Sequence, residues 1–332
     1  MGINFIKLKV ETKHRGGMMN NFADVLIDKI NEKQNPSVVG LDPRFNKIPK
    51  FIVDEMIGKF GKNFQAIGMS FFEFNKGIIN AVKDIVPAVK PQMAFYEQYG
   101  LYGVKAFEDT VRYAKSKGLI VIEDAKRNDI GSTAQAYSDG HIGMVDSFDG
   151  KEKSFDVDCI TVNPYLGSDG IKPFIESIKN YGKGIFVLVK TSNPSSGEFQ
   201  DVVTENGVRN YIIVAHNVNK WCDETIGSSG YGSVGAVVGA TYPKQAEELR
   251  KIMPKSIFLV PGYGAQGGSA KDILPCFNKD GLGAIVNSSR GIIFAYEKNG
   301  RPEDFENASQ EAALKMKDDI NNALKEAGIW RW

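Results

Sequence analysis

Eight short runs rich in valine and isoleucine recur along the chain, at Ser37–Asp42, Ala88–Ala94, Leu119–Lys126, Asp158–Pro164, Gly184–Thr191, Ser233–Ala240, Ser256–Gly262 and Gly283–Ser289. Each is bounded by Gly, Pro, Asn or Asp and is separated from the next by a segment long enough for a helix. This spacing constrains the fold more than any other feature. The intervening segments carry helical patterns: Val104–Lys117 places Val104, Phe107, Val111 and Ala114 three and four residues apart, Pro243–Met253 is similar, and Asp304–Ala327 is a natural closing helix. Eight strand-then-helix units, with no internal repeat and no low-complexity linker, match a (β/α)8 TIM barrel of the α/β class better than a doubly wound sheet of five or six strands. Segments 45–64, 138–156 and 193–206, rich in Gly, Ser, Asp and Lys, are expected to be loops or insertions. One barrel domain is expected over 19–332. Residues 1–18, which run through His14-Arg15-Gly16-Gly17 to Met18, read as an extension from an upstream start codon or an expression vector, outside the barrel.

Forty-one basic residues against 40 acidic ones give no field for a polyanion, and no Lys/Arg-rich run stands out, so nucleic acid is a poor partner. A small anion needs only a local basic site. No apolar stretch approaches the roughly 20 residues that span a bilayer, and no signal-peptide pattern opens the chain. Cys159, Cys222 and Cys276 are odd in number and far apart, outside any metal-ligand spacing. They are expected to be packed thiols in a reducing, cytoplasmic setting. His14, His141 and His216 lie off the expected strand ends, which argues against a histidine-based acid/base or zinc site.

In a barrel of this kind the functional face is the C-terminal end of the strands. Nearly every apolar run ends in polar residues: Gly40-Leu41-Asp42, Lys90-Pro91-Gln92, Glu123-Asp124-Ala125-Lys126, Thr161-Val162-Asn163, Lys190-Thr191-Ser192-Asn193, and Asn287-Ser288-Ser289-Arg290. The third run says most. Strand alternation puts Asp124 and Lys126 on one side, beside Lys90 if the second and third strands pair, with Asp129 just past the strand end and Glu123 facing the helices. A structural ion-pair network at the barrel mouth would account for this, but several charges in a partly desolvated position are an expensive route to stability.

The second local signal is anionic. Gly262-Tyr263-Gly264-Ala265-Gln266-Gly267-Gly268 forms a glycine-rich loop after the seventh run, and Ser289-Arg290-Gly291 ends the eighth where a helix should start. Backbone amides at a helix N-terminus together with a guanidinium bind phosphate, and the loops after strands seven and eight are the recurrent phosphate position in this fold.

The block Glu123-Asp124-Ala125-Lys126-Arg127-Asn128-Asp129-Ile130-Gly131-Ser132-Thr133 resembles the Asp-x-Lys-x-x-Asp-Ile signature of orotidine 5′-monophosphate decarboxylases. Gly40-Leu41-Asp42-Pro43, Lys90 with Met93-Ala94-Phe95-Tyr96, Lys190-Thr191-Ser192-Asn193-Pro194, Pro261-Gly262-Tyr263-Gly264-Ala265-Gln266 and Asn287-Ser288-Ser289-Arg290 join it. The likeness runs from about Asn20 to the C-terminus, in the block order of the longer bacterial and protozoan branch. It implies a cofactor-free, metal-free homodimer that converts orotidine 5′-monophosphate to UMP and carbon dioxide. By the same resemblance Lys126 is the proton donor to C6, flanked by Asp124 and Lys90, and Asp42 binds ribose. Asp129, Ile130 and Thr133 enter the neighbouring subunit's site, with Asp129 near the ribose. Ser192 reads the pyrimidine edge, Gln266 links base and phosphate, and Arg290 with the amide of Ser289 holds the phosphate. Many relatives carry Gly at the position of Ser289, which a backbone-amide contact tolerates. Two alternatives fit parts of the pattern: a magnesium-dependent hexulose-phosphate synthase with a similar Asp-x-Lys-x-x-Asp block, and a non-catalytic nucleotide-binding protein. The Lys190-Thr191-Ser192 block and the second lysine, Lys90, favour the decarboxylase, and retention of both lysines and both aspartates speaks against a dead binder.

Overall fold

The computed structural model describes residues 21–264, 268–298 and 300–332. The expected extension at 1–18 and Gln266 lie outside the described residues. The eight runs form strands β1 (Ser37–Leu41), β2 (Ala88–Pro91), β3 (Ile120–Arg127), β4 (Cys159–Val162), β5 (Gly184–Lys190), β6 (Gly232–Val238), β7 (Ser256–Val260) and β8 (Ala284–Ser288). All pair in parallel with their neighbours in chain order, and β8 returns to β1 through Ser37↔Val286 and Val38↔Asn287, which closes the barrel.

Alternation along the strands divides the core in two. Val38, Ala88, Ile122, Cys159, Phe186, Leu259 and Ile285 point into the barrel, while Val39, Val89, Val121, Ile160, Val187, Val260 and Val286 point out to the helices. Each fully buried Val, Leu, Ile or Phe among them contributes about 1.5–3 kcal/mol relative to exposure.

The bottom of the barrel is stoppered by the helix Phe22–Lys33, whose buried Phe22, Ala23, Leu26, Ile27 and Ile30 join the inner cluster. Its start is fixed by Asn21, whose side chain accepts from the backbone N–H groups of Ala23 and Asp24 and donates to the Thr225 carbonyl. Asp24 accepts from the backbone of Ser228 and Ser229, and the Ser233 hydroxyl donates to Asn21. On the same end, buried Arg250 donates to the carbonyls of Cys276, Met253, Ser256 and Gly283 and lies 3.6 Å from the Phe258 ring centre. Burial, with no ion pair among the described residues, brings its guanidinium down to about 10.

Segments expected to be loops hold more structure than that. Segment 45–64 contains a 3₁₀ turn (Phe45–Lys47), the helix Lys50–Phe60 and the start of the helix Phe64–Val82. Only Ile52 and Met56 of Lys50–Phe60 are buried, a stripe too narrow to stand out in sequence. Segment 138–156 closes the helix Gly131–His141 and then forms a hairpin, Val145–Ser147 with Gly150–Glu152. Segment 193–206 carries two single turns, Pro194–Ser196 and Gly197–Gln200. Among the described residues no helix is long and apolar enough to cross a membrane.

Candidate active site

The C-terminal strand ends converge on a cavity of about 450 Å³, inside the roughly 300–1,000 Å³ range of small-molecule sites. Asp42, Lys90, Asp124, Lys126, Ser192, Ser289 and Arg290 all line it. Its floor is the upper layer of the inner barrel core, Leu188, Val237 and Leu259.

Strand β3 supplies the central charges through an irregular backbone. Its register against β4 shifts between Glu123 and Arg127, and Lys126 has φ of 52°, a left-handed conformation that non-glycine residues rarely hold. The Thr161 hydroxyl on β4 holds it there: it accepts the Lys126 backbone N–H at 2.9 Å and donates to Asp124 Oδ1 at 2.9 Å. One short side chain thus fixes both a strained main chain and the carboxylate beside it. Simple alternation foresees Asp124 and Lys126 on one side, and the bulge keeps them so. Glu123 faces outward as expected, with Oε2 2.7 Å from His141 Nδ1 in the helix layer.

Lys90 Nζ donates to Asp124 Oδ2 at 2.7 Å, and Lys126 Nζ donates to Asp124 Oδ1 at 2.6 Å. Burial alone would raise the Asp124 carboxyl. The ammonium groups of Lys90 and Lys126, with their hydrogen bonds, outweigh it and hold the group well below the usual carboxylate range. Burial pulls Lys90 down, but Asp124 and Asp42 more than offset that, so it stays cationic above the ordinary lysine value. Lys126 differs in freedom: its side chain is 45% exposed against 5% for Lys90. The row therefore has one fixed ammonium, one fixed carboxylate and one ammonium with room to move.

Asp42 is the opposite case. Burial raises its carboxyl above the usual value, and the attraction of Lys90 offsets this only in part. Its Oδ1 is buried with no hydrogen-bond partner, as is Oδ1 of Asn287 on β8. Both residues line the cavity, and a buried acceptor without a partner is a group that a donor would stabilise.

At the other end lie the anion-binding candidates. Gly262 and Gly264 both take positive φ, 97° and 72°, and Gly268 bonds back to Gly262 and Gly264, pinching the base of the loop after β7. Arg290 is exposed at the start of a single helical turn, Arg290–Ile293, and makes no ion pair among the described residues. Ser289 packs over Gly40, where a Cβ would stand 1.8 Å from its hydroxyl, so β1 needs glycine there.

Asp129, Ile130 and Thr133 do not join this cavity. Asp129 Oδ1 accepts from the Ile130 backbone N–H, Ile130 is 52% exposed, and Thr133 lies on the outer surface of the helix Gly131–His141. Thr161, Asn287, Gln92 and Gln200 also line the cavity, and sequence reasoning gave them no role. Thr161, Gln92 and Asn287 each stand in a polar strand end, the one signal that could have found them. Gln200 had none, since it ends the turn Gly197–Gln200 in the segment after β5 and stands in no strand end.

Residues 69–302 match the family model for orotidine 5′-phosphate decarboxylase / HUMPS. The chain is 44% identical over 306 residues to an orotidine 5′-phosphate decarboxylase of Caldicellulosiruptor bescii, covering 92% of this chain and all of that one. It is 45% identical over 294 residues to the protein of the same name from Rhodopirellula baltica, covering 89% and 94%. Among solved structures, the OMP decarboxylase of Leishmania donovani superposes with a TM-score of 0.69 at 29% identity, covering 91% of this chain and 98% of that one. With a closed eight-stranded barrel, a Lys-Asp-Lys row at its mouth and likeness over nearly the whole length, the chain belongs to the orotidine 5′-phosphate decarboxylase / HUMPS family.

Proposed function

We propose that this protein decarboxylates orotidine 5′-monophosphate to UMP in pyrimidine biosynthesis, with the Lys90-Asp124-Lys126 row as its reaction centre. The observation that carries the reading is a carboxylate held ionised between two ammonium groups at 2.7 and 2.6 Å, on the wall of a nucleotide-sized cavity. Loss of carbon dioxide from C6 leaves an electron pair in the plane of the ring, where the π system cannot delocalise it. What helps is a fixed positive charge where negative charge develops and a proton donor within reach. Lys126, with a partly free side chain, donates the proton to C6. Lys90 holds Asp124 in place and is itself held by it. Asp124 stands beside the substrate carboxylate; two such charges about 4 Å apart at an effective dielectric of about 20 repel by roughly 4 kcal/mol, a repulsion relieved as neutral carbon dioxide departs.

Asp42, with an unpartnered buried oxygen, accepts from the ribose. Ser192 meets the pyrimidine edge, and Arg290 with the backbone of Ser289 takes the phosphate. Gln266, from the loop after β7, links base and phosphate. Phosphate binding lies away from the reacting carbon, so its energy serves to close loops and exclude water.

The working unit is a homodimer with shared sites. What supports this is the position of Asp129, Ile130 and Thr133, turned outward from their own cavity with Ile130 exposed. Across a two-fold axis each subunit's three residues complete the other's site, Asp129 at the ribose. A cytoplasmic setting accords with three buried cysteines that are all unpaired.

The test is loss of ultraviolet absorbance from orotidine 5′-monophosphate with a chelator present. Turnover that survives chelation is expected. Activity that appears only with added magnesium and a hexulose phosphate would replace this reading with the synthase.

A further inference from the structure

The segment that carries Ser192 is tied down by a charge the reaction centre does not use. Lys190, the last residue of β5, is completely buried, yet it does not line the cavity. The β5–β6 register shifts between Leu188 and Lys190, which turns the lysine outward into the helix layer while Leu188 stays on the cavity floor. There its ammonium donates to both oxygens of Asp201 at 2.9 Å and lies 4.6 Å from the ring centre of Tyr242 and 5.7 Å from that of Tyr211. Tyr242 follows β6 and Tyr211 belongs to the helix Asn210–Asp223, so the lysine ties the segment after β5 to its two neighbours.

For stability alone this is a poor choice: the Asp201 side chain is 36% exposed but Lys190 is fully buried, and a desolvated ammonium is generally replaceable by apolar packing without loss. A fixed counterion does something apolar packing does not. It gives Asp201 one allowed position, since moving it strips the ammonium of its carboxylate between two aromatic rings. The residue before Asp201 is Gln200, and its side chain clamps Thr191: Oε1 accepts the Thr191 backbone N–H at 2.9 Å and Nε2 donates to the Thr191 hydroxyl at 2.7 Å. Thr191 and Gln200 both line the cavity on either side of Ser192 in the chain. Ser192 is seated against Gly239 of the segment after β6, where an added Cβ would fall 2.9 Å from its main chain.

We propose that Lys190 is a positioning residue for base recognition: its ion pair with Asp201 fixes Gln200, Gln200 fixes Thr191, and Ser192 is thereby presented to the pyrimidine edge. The inference rests on the functional reading above and adds to it a residue outside the cavity that sets selectivity for the base. It also separates two parts of the ligand, because Ser289 and Arg290 lie in the turn after β8, outside this chain of contacts.

The test compares the binding of UMP with that of ribose 5-phosphate, which lacks the base, by titration calorimetry on the full chain. In Lys190→Met combined with Asp201→Asn, the unfolding midpoint should stay within a few degrees of the parent's. Ribose 5-phosphate should bind within about twofold of the parent, while UMP binds at least tenfold more weakly. Asp201→Glu keeps both charges but lengthens one arm, so it folds whether or not the double variant does. Its ratio of UMP to ribose 5-phosphate affinity should also fall, by at least about threefold, and Lys190→Arg should retain more of that ratio than Lys190→Met. An unchanged ratio in either folded variant overturns the proposal and leaves the pair as a structural tie. A parent that binds ribose 5-phosphate and UMP equally would instead bring down the functional reading, and the role of Lys190 with it.

Discussion

Replacing Asp124 with asparagine tests whether the Lys-Asp-Lys row is an electrostatic unit. Each ammonium of the native row lies 2.6–2.7 Å from a carboxylate oxygen, which at an effective dielectric of about 20 is a gross attraction of roughly 6 kcal/mol per pair. Most of that offsets the desolvation of three charges. The substituted amide would be isosteric but neutral, and would face two ammonium groups and the Thr161 hydroxyl with one acceptor where the carboxylate has two. Lys126 can swing toward solvent; Lys90, 5% exposed, cannot. An uncompensated buried charge costs about 3–5 kcal/mol, which in a chain of 332 residues lowers the unfolding midpoint by about 4–7 °C. The pH dependence is the sharper readout. In the parent, Lys90 is raised above its ordinary value by Asp124 and Asp42. Its contribution to stability is therefore complete below the unfolded value of about 10.4 and is lost only as pH rises through the higher folded value. In Asp124→Asn the burial acting on Lys90 is opposed by Asp42 alone, so its folded pKa drops below the unfolded value of about 10.4. The folded state then binds fewer protons than the unfolded one, and stability rises with pH up to about 10.4. Urea unfolding of both proteins between about pH 7 and 10 should give converging curves, with the variant's deficit shrinking as pH rises. Parallel curves would refute the argument that Asp124 is what keeps Lys90 charged.

Lys126→Ala should cut turnover by at least about 10²–10⁴-fold while UMP binding and the unfolding midpoint stay close to the parent's, because the donor acts on charge formed only in the transition state; near-normal turnover would remove it as donor. Arg290→Ala should raise KM by about 10–150-fold, the equivalent of one charge-assisted hydrogen bond of about 1.5–3 kcal/mol, and equal activity on nucleotide and bare nucleoside in the parent would contradict its role. Asp42→Asn should bind UMP at least tenfold more weakly yet resist urea better at neutral pH. A carboxyl raised by burial binds a proton that the unfolded chain has released, so its stability falls as pH climbs from about 3.9 to the folded value, and the amide escapes that loss; a less stable variant would show that Asp42 is satisfied after all. Mixed Lys126→Ala and Asp129→Ala chains, nearly inactive apart, should regain activity after subunit exchange, up to one working site per heterodimer; no recovery after verified exchange would end the shared-site model.

The barrel was legible because a parallel strand with helices outside must be apolar on both faces, and eight such runs leave little choice of architecture. Asp124, Lys126 and Lys90 were legible because charges at the end of an apolar run have no cheaper explanation. The helix Lys50–Phe60 was not, since it buries two residues and shows a charged, glycine-bearing face. Thr161 was hidden for another reason: it matters through a bulge in β3 and a left-handed lysine, and neither leaves a trace in residue type. Lys190 stood inside a recognisable block, yet only the register shift in β5 reveals that it turns away from the cavity its neighbours line.

The stopper helix has a consequence during synthesis. It is the first described element to leave the ribosome, but Ser233, which anchors its start, lies 210 residues further on. At about 5–20 residues per second, roughly 10–40 s pass before that partner has been made. Through that interval Phe22, Leu26, Ile27 and Ile30 have no barrel to enter. The nascent chain therefore carries an apolar helix in search of a cover, and a chaperone that binds it early would be occupying the seat that β6 and the completed barrel floor later take.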